Sequence, residues 1–165
     1  MARNGTLILF CGKMGAGKST AAVNINNERN GILISEDKWL ASLYPDQITT
    51  FEDYIRFSGL LKPLLKTHVQ NILKTGANVV MDFPANTINQ RKWFVSLCVE
   101  ANAKYELIYL KASNELCLKQ IAQRRIEQPS RAKFDTEQVF NHVTKYFDEP
   151  NEIATENLTV IERCE

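Results

Sequence analysis

A short apolar run followed at once by a glycine-rich turn constrains the fold of this chain more than any other feature. Residues 6–11 read TLILFC, which is too short for a helix and suits a strand that is buried on both faces. Residues 12–20 then read GKMGAGKST and match the pattern G-x-x-x-x-G-K-[ST] without a mismatch. A helix is predicted over residues 18–28, because its apolar residues fall on one side. The order strand, glycine-rich turn and helix predicts a phosphate-binding loop.

Each fixed position of this loop has a physical reason. Glycine allows positive φ and lets backbone N–H groups approach phosphate oxygens closely. The helix that follows presents its positive end to the same anion. Lys18 can reach the β- and γ-phosphates, and the Ser19 hydroxyl can ligate Mg²⁺. The loop therefore predicts a nucleoside triphosphate as ligand, and its predicted binding residues are Gly12, Lys13, Met14, Gly15, Ala16, Gly17, Lys18, Ser19 and Thr20.

Strands and helices alternate along the rest of the chain. Further strands are predicted over residues 31–35, 78–82, 105–110 and 158–162. Further helices are predicted over about 39–44, 51–74, 87–98, 113–127 and 135–147. We expect Pro63 to break the long helix in two and Asp135 to cap the last one. The alternation predicts a three-layer α/β/α fold with a mostly parallel five-stranded sheet, the phosphate-loop strand at its centre, and one domain over residues 1–165.

Two carboxylates follow predicted strands, at the edge where ligands bind to open parallel sheets. Asp37 comes just after the second strand and could accept a proton from an attacking hydroxyl. The alternative is that Asp37 or Glu36 only favours the N-terminus of the next helix. Asp82 ends the strand NVVMD, which is typical of a Walker B element whose carboxylate holds Mg²⁺. The alternative for Asp82 is a simple turn signal.

A basic segment, QRRIEQPSRAKF over residues 123–134, contains a loop interrupted by Pro129. Phosphoryl transfer needs positive charge on the transferring group and exclusion of water, which a mobile lid often supplies. We therefore predict that Arg124, and second to it Arg131, contacts the nucleotide. Residues 124–135 are then a lid segment, and the alternative is a solvated run of charges.

Composition narrows the range of partners. The 165 residues include 20 basic and 19 acidic residues, a net charge of +1, which does not indicate nucleic acid or an anionic membrane as partner. The start, MARNG, lacks the apolar region of a secretory signal, and no apolar run approaches the length of a membrane span. We expect a cytoplasmic protein without membrane contact, as a monomer or homodimer.

Four stretches together resemble the AAA_33-type small P-loop kinases, which are related to zeta toxins, chloramphenicol phosphotransferase and gluconate kinase. They are GKMGAGKST, LISEDKWLASLYP, VVMDFPANTINQRKWF and the QRR that opens the lid segment, and the resemblance covers nearly the whole chain. It implies a nucleoside-kinase-like fold and transfer of the γ-phosphate of ATP, with Mg²⁺, to a hydroxyl of a small molecule. By that similarity Asp37 is the base, Asp82 lies near Mg²⁺ and Arg124 is a lid arginine. Lys18, Asp37 and Arg124 are the implied catalytic residues.

The chain departs from the related kinases at two positions that bear on the acceptor. Adenylate kinases read DGFPR where this chain reads DFPA, and Ala85 replaces the arginine that would hold a nucleoside monophosphate. Ser35 stands where sugar kinases often carry a second acid, which argues against a sugar acid. The acceptor is therefore an unidentified small molecule. Two other functions stay open: an ATPase or nucleotide switch acting through a protein partner, and a polynucleotide 5′-hydroxyl kinase.

Overall fold

The computed structural model describes residues 3–164 and contains five strands and six α-helices within them. The strands are β1 (Thr6–Cys11), β2 (Ile32–Ser35), β3 (Val79–Pro84), β4 (Lys104–Lys111) and β5 (Leu158–Glu162). The helices are α1 (Lys18–Arg29), α2 (Glu36–Leu43), α3 (Phe51–Lys74), α4 (Ile88–Glu100), α5 (Asn114–Glu127) and α6 (Glu137–Thr144). Short 3-10 turns cover Pro129–Arg131 and Thr155–Asn157.

The five strands form one sheet in the order β2-β3-β1-β4-β5, and every pair is parallel. The predicted fold class and the central position of β1 are confirmed. Because all strands run the same way, the segments that follow β1, β2 and β3 meet at one edge of the sheet. This edge holds the residues that the sequence singled out.

Helices cover both faces of the sheet, and the alternation along β1 explains why. Leu7, Leu9 and Cys11 point into a core shared with α2, α3 and α4. Ile8 and Phe10 point into a second core shared with α1, α5 and α6. A strand that is apolar and buried at every position after Thr6 therefore serves two cores at once, which gives the three-layer architecture.

Helix α3 runs without interruption through Pro63, so the predicted break is wrong. A proline inside a helix removes one backbone hydrogen bond and costs about 3 kcal/mol. A single apolar stripe on both sides of the proline packs against the sheet, and each fully buried side chain contributes about 1.5–3 kcal/mol. The stripe outweighs the cost of the proline; it consists of Phe57, Leu61, Leu65, Val69 and Leu73.

Two predicted helix starts are also corrected. Helix α2 begins at Glu36 rather than near residue 39. Helix α6 is capped by Thr136, whose hydroxyl accepts a hydrogen bond from the Val139 N–H at 3.1 Å, and not by Asp135. The Asp135 carboxylate is engaged elsewhere, as described below. Among residues 3–164, no helix has the length and apolar character needed to cross a bilayer.

Candidate active site

The loop between β1 and α1 has a backbone that only glycine adopts easily. Gly15 and Gly17 have φ values of 83° and 94°. A Cβ on Gly15 would lie 2.5 Å from the Cys117 carbonyl oxygen, so even a methyl group is excluded there. Gly17 is the N-cap of α1 and provides no side-chain cap. The N–H groups at the start of α1 are therefore left for another acceptor, which a phosphate would supply.

Lys18 lies inside the loop that it follows. Its ammonium group donates hydrogen bonds to the carbonyl oxygens of Gly12 and Lys13, the latter at 3.0 Å. Burial lowers the pKa of Lys18 to about 8, although the nearby Asp82 carboxylate opposes this shift. A cation held in such a site gains from an anion beside it, which is what a nucleotide phosphate offers.

Ser19 and Asp82 face each other across the edge of the sheet. Burial raises the pKa of Asp82, and a hydrogen bond from the Ser19 hydroxyl partly offsets this effect. A hydroxyl and a carboxylate beside a phosphate loop are hard oxygen donors of the kind that Mg²⁺ prefers, so this pair fits that ion. The two predicted metal ligands therefore lie together.

Asp37 lies at the start of α2, where its exposed carboxylate accepts a hydrogen bond from Arg131 at 3.1 Å. Its charge raises the pKa of Asp82 while the charge of Arg131 lowers it, so the three groups share one site. The neighbouring Glu36 is buried and is bound by α3, since Tyr54 and Ser58 donate hydrogen bonds to its carboxylate, the latter at 2.8 Å. Asp37 is thus the carboxylate that is open to a ligand.

Arg124, on the last turns of α5, lies near Lys18 and lowers the pKa of that lysine. Its guanidinium donates two hydrogen bonds to Asp135, at 2.7 and 2.6 Å. Arg131 also donates to Asp135, at 3.2 Å. Both predicted lid arginines therefore reach the site edge, and a single carboxylate joins them.

The remaining loop residues differ in what their side chains do. The Lys13 ammonium donates to the Asn114 side chain at 2.7 Å, so it is directed along the surface toward α5. Ala16 is buried and Met14 packs against the same core. Thr20 is exposed on α1. Of these residues, Ala16 and Met14 serve the packing of the loop, and the Ala16 N–H closes the loop by donating to the Lys13 carbonyl at 3.0 Å.

The start of the loop rests on residues that sequence reasoning missed. The Asn86 side chain accepts a hydrogen bond from the Gly12 N–H at 2.9 Å, and the Asn86 carbonyl accepts one from the Asp148 N–H at 2.9 Å. Arg91, which is 1% exposed, forms an ion pair with Glu152 and donates to the Asp148 carbonyl at 3.0 Å. The phosphate loop is thus fastened to the segment that precedes β5.

Arg163 is another residue near the site that the sequence did not identify. Its backbone N–H extends the pairing of β5 with β4 by donating to the Lys111 carbonyl at 2.8 Å. Its guanidinium would lie 3.4 Å from a Cβ placed on Gly17, so it stands over the start of α1. An isolated arginine after a strand carries no pattern that could have identified it.

Solved structures confirm the fold. A proposed kinase from Chloroflexus aurantiacus has a TM-score of 0.75 at 18% identity, over 97% of this chain and 89% of that one. The APS kinase CysC of Mycobacterium tuberculosis, solved with AMPPNP and APS, has a TM-score of 0.65 at 15% identity, over 98% and 91%. Kti12 of Chaetomium thermophilum, solved with ADP-AlF3, has a TM-score of 0.66 at 18% identity, over 94% and 88%.

Sequence comparison gives the family. No curated protein matches the chain significantly. The model of the AAA_33 family, described as an AAA domain, matches residues 7–150 and thus spans the phosphate loop, Asp37, Asp82 and both lid arginines. On this match, the chain belongs to the AAA_33 family.

Proposed function

We propose that this protein is a kinase that transfers the γ-phosphate of ATP to a hydroxyl group of a small molecule. The observation that carries the proposal is the position of Asp37, whose exposed carboxylate lies at the same sheet edge as Asp82 and the phosphate loop. A loop for the triphosphate alone would serve any nucleotide-binding protein. A carboxylate beside it, open to a second ligand, is what a phosphotransferase adds.

In the proposed reaction, backbone N–H groups of the loop and the Lys18 ammonium bind the β- and γ-phosphates. Ser19 and Asp82 hold Mg²⁺, which supplies positive charge to the phosphates. Asp37 orients the acceptor hydroxyl and takes its proton as the acceptor oxygen bonds to the γ-phosphorus. The bond from that phosphorus to the bridging oxygen breaks, and ADP leaves.

The lid arginines complete the proposed site. Arg124 lies on the side of Lys18, and Arg131 lies beside Asp37. In that arrangement one cation serves the nucleotide side and the other the acceptor side of the transferring group. Both neutralise negative charge that develops on the phosphoryl oxygens. The AAA_33 membership and the kinases among the similar structures support this assignment.

The test uses γ-labelled Mg·ATP with a panel of nucleosides, sugars, sugar nucleotides, a metabolite extract and 5′-hydroxyl oligonucleotides. We expect label on one small acceptor, reduced about 10²–10³-fold in Lys18→Ala and about 10²–10⁴-fold in Asp37→Asn. Asp46→Asn is the matched control, because Asp46 is an exposed residue of a turn with a φ of 60° that asparagine also tolerates. It should transfer label at the wild-type rate.

Other outcomes select the other functions. Label that appears only as free phosphate, at the same rate in Asp37→Asn, contradicts the proposed base and indicates an ATPase or nucleotide switch. Label on the oligonucleotides indicates a polynucleotide kinase. The net charge of +1 gives no electrostatic support for that outcome.

A further inference from the structure

Asp135 is a fully buried carboxylate with a role that helix capping does not explain. It is 0% exposed, and burying a carboxylate is costly unless it is paired and hydrogen-bonded. Its two oxygens accept three hydrogen bonds, two from Arg124 and one from Arg131. These bonds compensate the burial, so the position of Asp135 fixes the positions of both arginines.

The backbone holds this carboxylate in place from several sides. The Asp135 N–H donates to the Arg131 carbonyl at 2.8 Å, which closes a turn between the two residues of one ion pair. Three further backbone hydrogen bonds fold the segment between Gln128 and Phe134 on itself. Asp135 then leads directly into α6, whose Phe140 is 1% exposed in the core. The carboxylate is therefore carried by an anchored part of the lid segment.

Two guanidinium groups this close to one another repel unless an anion lies between them. Arg131 remains charged here, because Asp37 and Asp135 outweigh the effect of its burial and raise its pKa. Its guanidinium group is shared between two carboxylates: Nε donates to Asp135 and Nη1 donates to Asp37. Asp135 thus sets the orientation in which Arg131 meets the candidate base.

We propose that Asp135 is the positioning residue of the lid segment, holding Arg124 and Arg131 as one unit directed at the nucleotide site and at Asp37. The inference rests on the proposed kinase function for its catalytic consequence. Asp135 itself touches neither ligand; it acts through the two arginines.

The first experiment tests the geometry without reference to activity. In ¹H–¹⁵N spectra, the Nε–H signals of Arg124 and Arg131 should be protected from solvent exchange in the wild-type protein, because both groups donate to Asp135. Asp135→Asn should abolish that protection. Glu137→Gln is the matched control, because Glu137 is exposed, lies two residues from Asp135 and loses one negative charge in this variant. It should leave both signals unchanged.

The second experiment measures phosphate transfer. We expect Asp135→Asn to lower kcat about 10–100-fold while the KM for ATP changes less than about threefold, because misplaced arginines lose contacts made in the transition state. In an Arg124→Gln, Arg131→Gln background, Asp135→Asn should have no further effect on kcat. A residue that only stabilised the fold would instead lower activity by the same factor in both backgrounds. Circular dichroism and thermal unfolding check that each variant is folded.

The outcomes are distinct. If the protected signals survive Asp135→Asn, or are missing in the wild type, Asp135 does not hold the two arginines in place. Signals lost with kcat unchanged, or an effect that persists without the arginines, overturn the positioning role and leave the kinase proposal intact. If the wild type transfers label to no acceptor, the proposed function fails. The spectra then test only whether Asp135 holds the two arginines.

Discussion

Replacing Asn86 with alanine tests whether the phosphate loop depends on its hydrogen bond to that side chain. The Asn86 oxygen accepts from the Gly12 N–H at 2.9 Å, and Gly12 is buried. The alanine variant keeps the backbone groups of residue 86 but leaves this N–H without a partner, which costs about 1–3 kcal/mol. The free energy of unfolding should fall by that amount, and the affinity for Mg·ATP should fall as well because the loop loses its fixed start.

Urea unfolding and isothermal titration with Mg·ATP measure the two effects separately. Asn89→Ala is the matched control: Asn89 is exposed in the first turn of α4, and its loss should change stability by less than about 0.5 kcal/mol. Asn86→Asp keeps an acceptor for the Gly12 N–H but adds a negative charge at the loop. It should retain more stability than the alanine variant and still bind Mg·ATP more weakly than the wild type.

One result would refute this reasoning. Suppose that the free energy of unfolding of Asn86→Ala lies within about 0.5 kcal/mol of the wild-type value, as for surface substitutions, and that its affinity for Mg·ATP is unchanged. The hydrogen bond then does not fix the loop. The phosphate loop would then be held by glycine geometry and core packing alone.

Two further predictions concern Glu36 and Arg163. Burial raises the pKa of Glu36 above its usual 4.5, so the folded chain binds this proton more tightly than the unfolded chain. The free energy of unfolding of the wild type should therefore fall relative to that of Glu36→Gln as the pH rises from about 4.5. Urea unfolding between pH 4 and 7.5 measures this difference. A wild type that becomes more stable than Glu36→Gln as the pH rises would contradict the prediction. Arg163→Gln should weaken Mg·ATP binding about three- to tenfold, because a partly solvated cation over Gly17 is lost. Lys104→Gln is the control, because Lys104 is exposed at the opposite end of β4, and it should leave Mg·ATP binding unchanged. Equal effects of the two variants would assign no role to Arg163.

The sequence was informative wherever a local pattern had a single physical solution. Apolar runs of four to six residues between turn signals predict buried parallel strands, and all five strands lie within two residues of their predicted bounds. The loop pattern located Lys18 and Ser19. Asp37 and Asp82 could be placed beside them because parallel strands end at a common edge, and their functional roles stay predictions.

What the sequence could not predict depends on contacts between distant parts of the chain. Gly12 and Asn86 are 74 positions apart, and Arg91 and Glu152 are 61 apart, so no local spacing marks either pair. Asp135 was misread for a related reason. Its position before a helix is typical of a cap, but two arginines brought to it by the fold compete for its carboxylate.

The bonds that fasten the loop through Asn86 and Arg91 also set an order of folding events. Both residues have partners between Asp148 and Glu152, far along the chain from the phosphate loop. During synthesis, the residues of the phosphate loop leave the ribosome well before the residues between Asp148 and Glu152 do. A nascent chain that ends before Asp148 therefore lacks these bonds beneath its phosphate loop. We therefore expect the phosphate loop to reach its final geometry only after the segment from Asp148 to Glu152 has been synthesised.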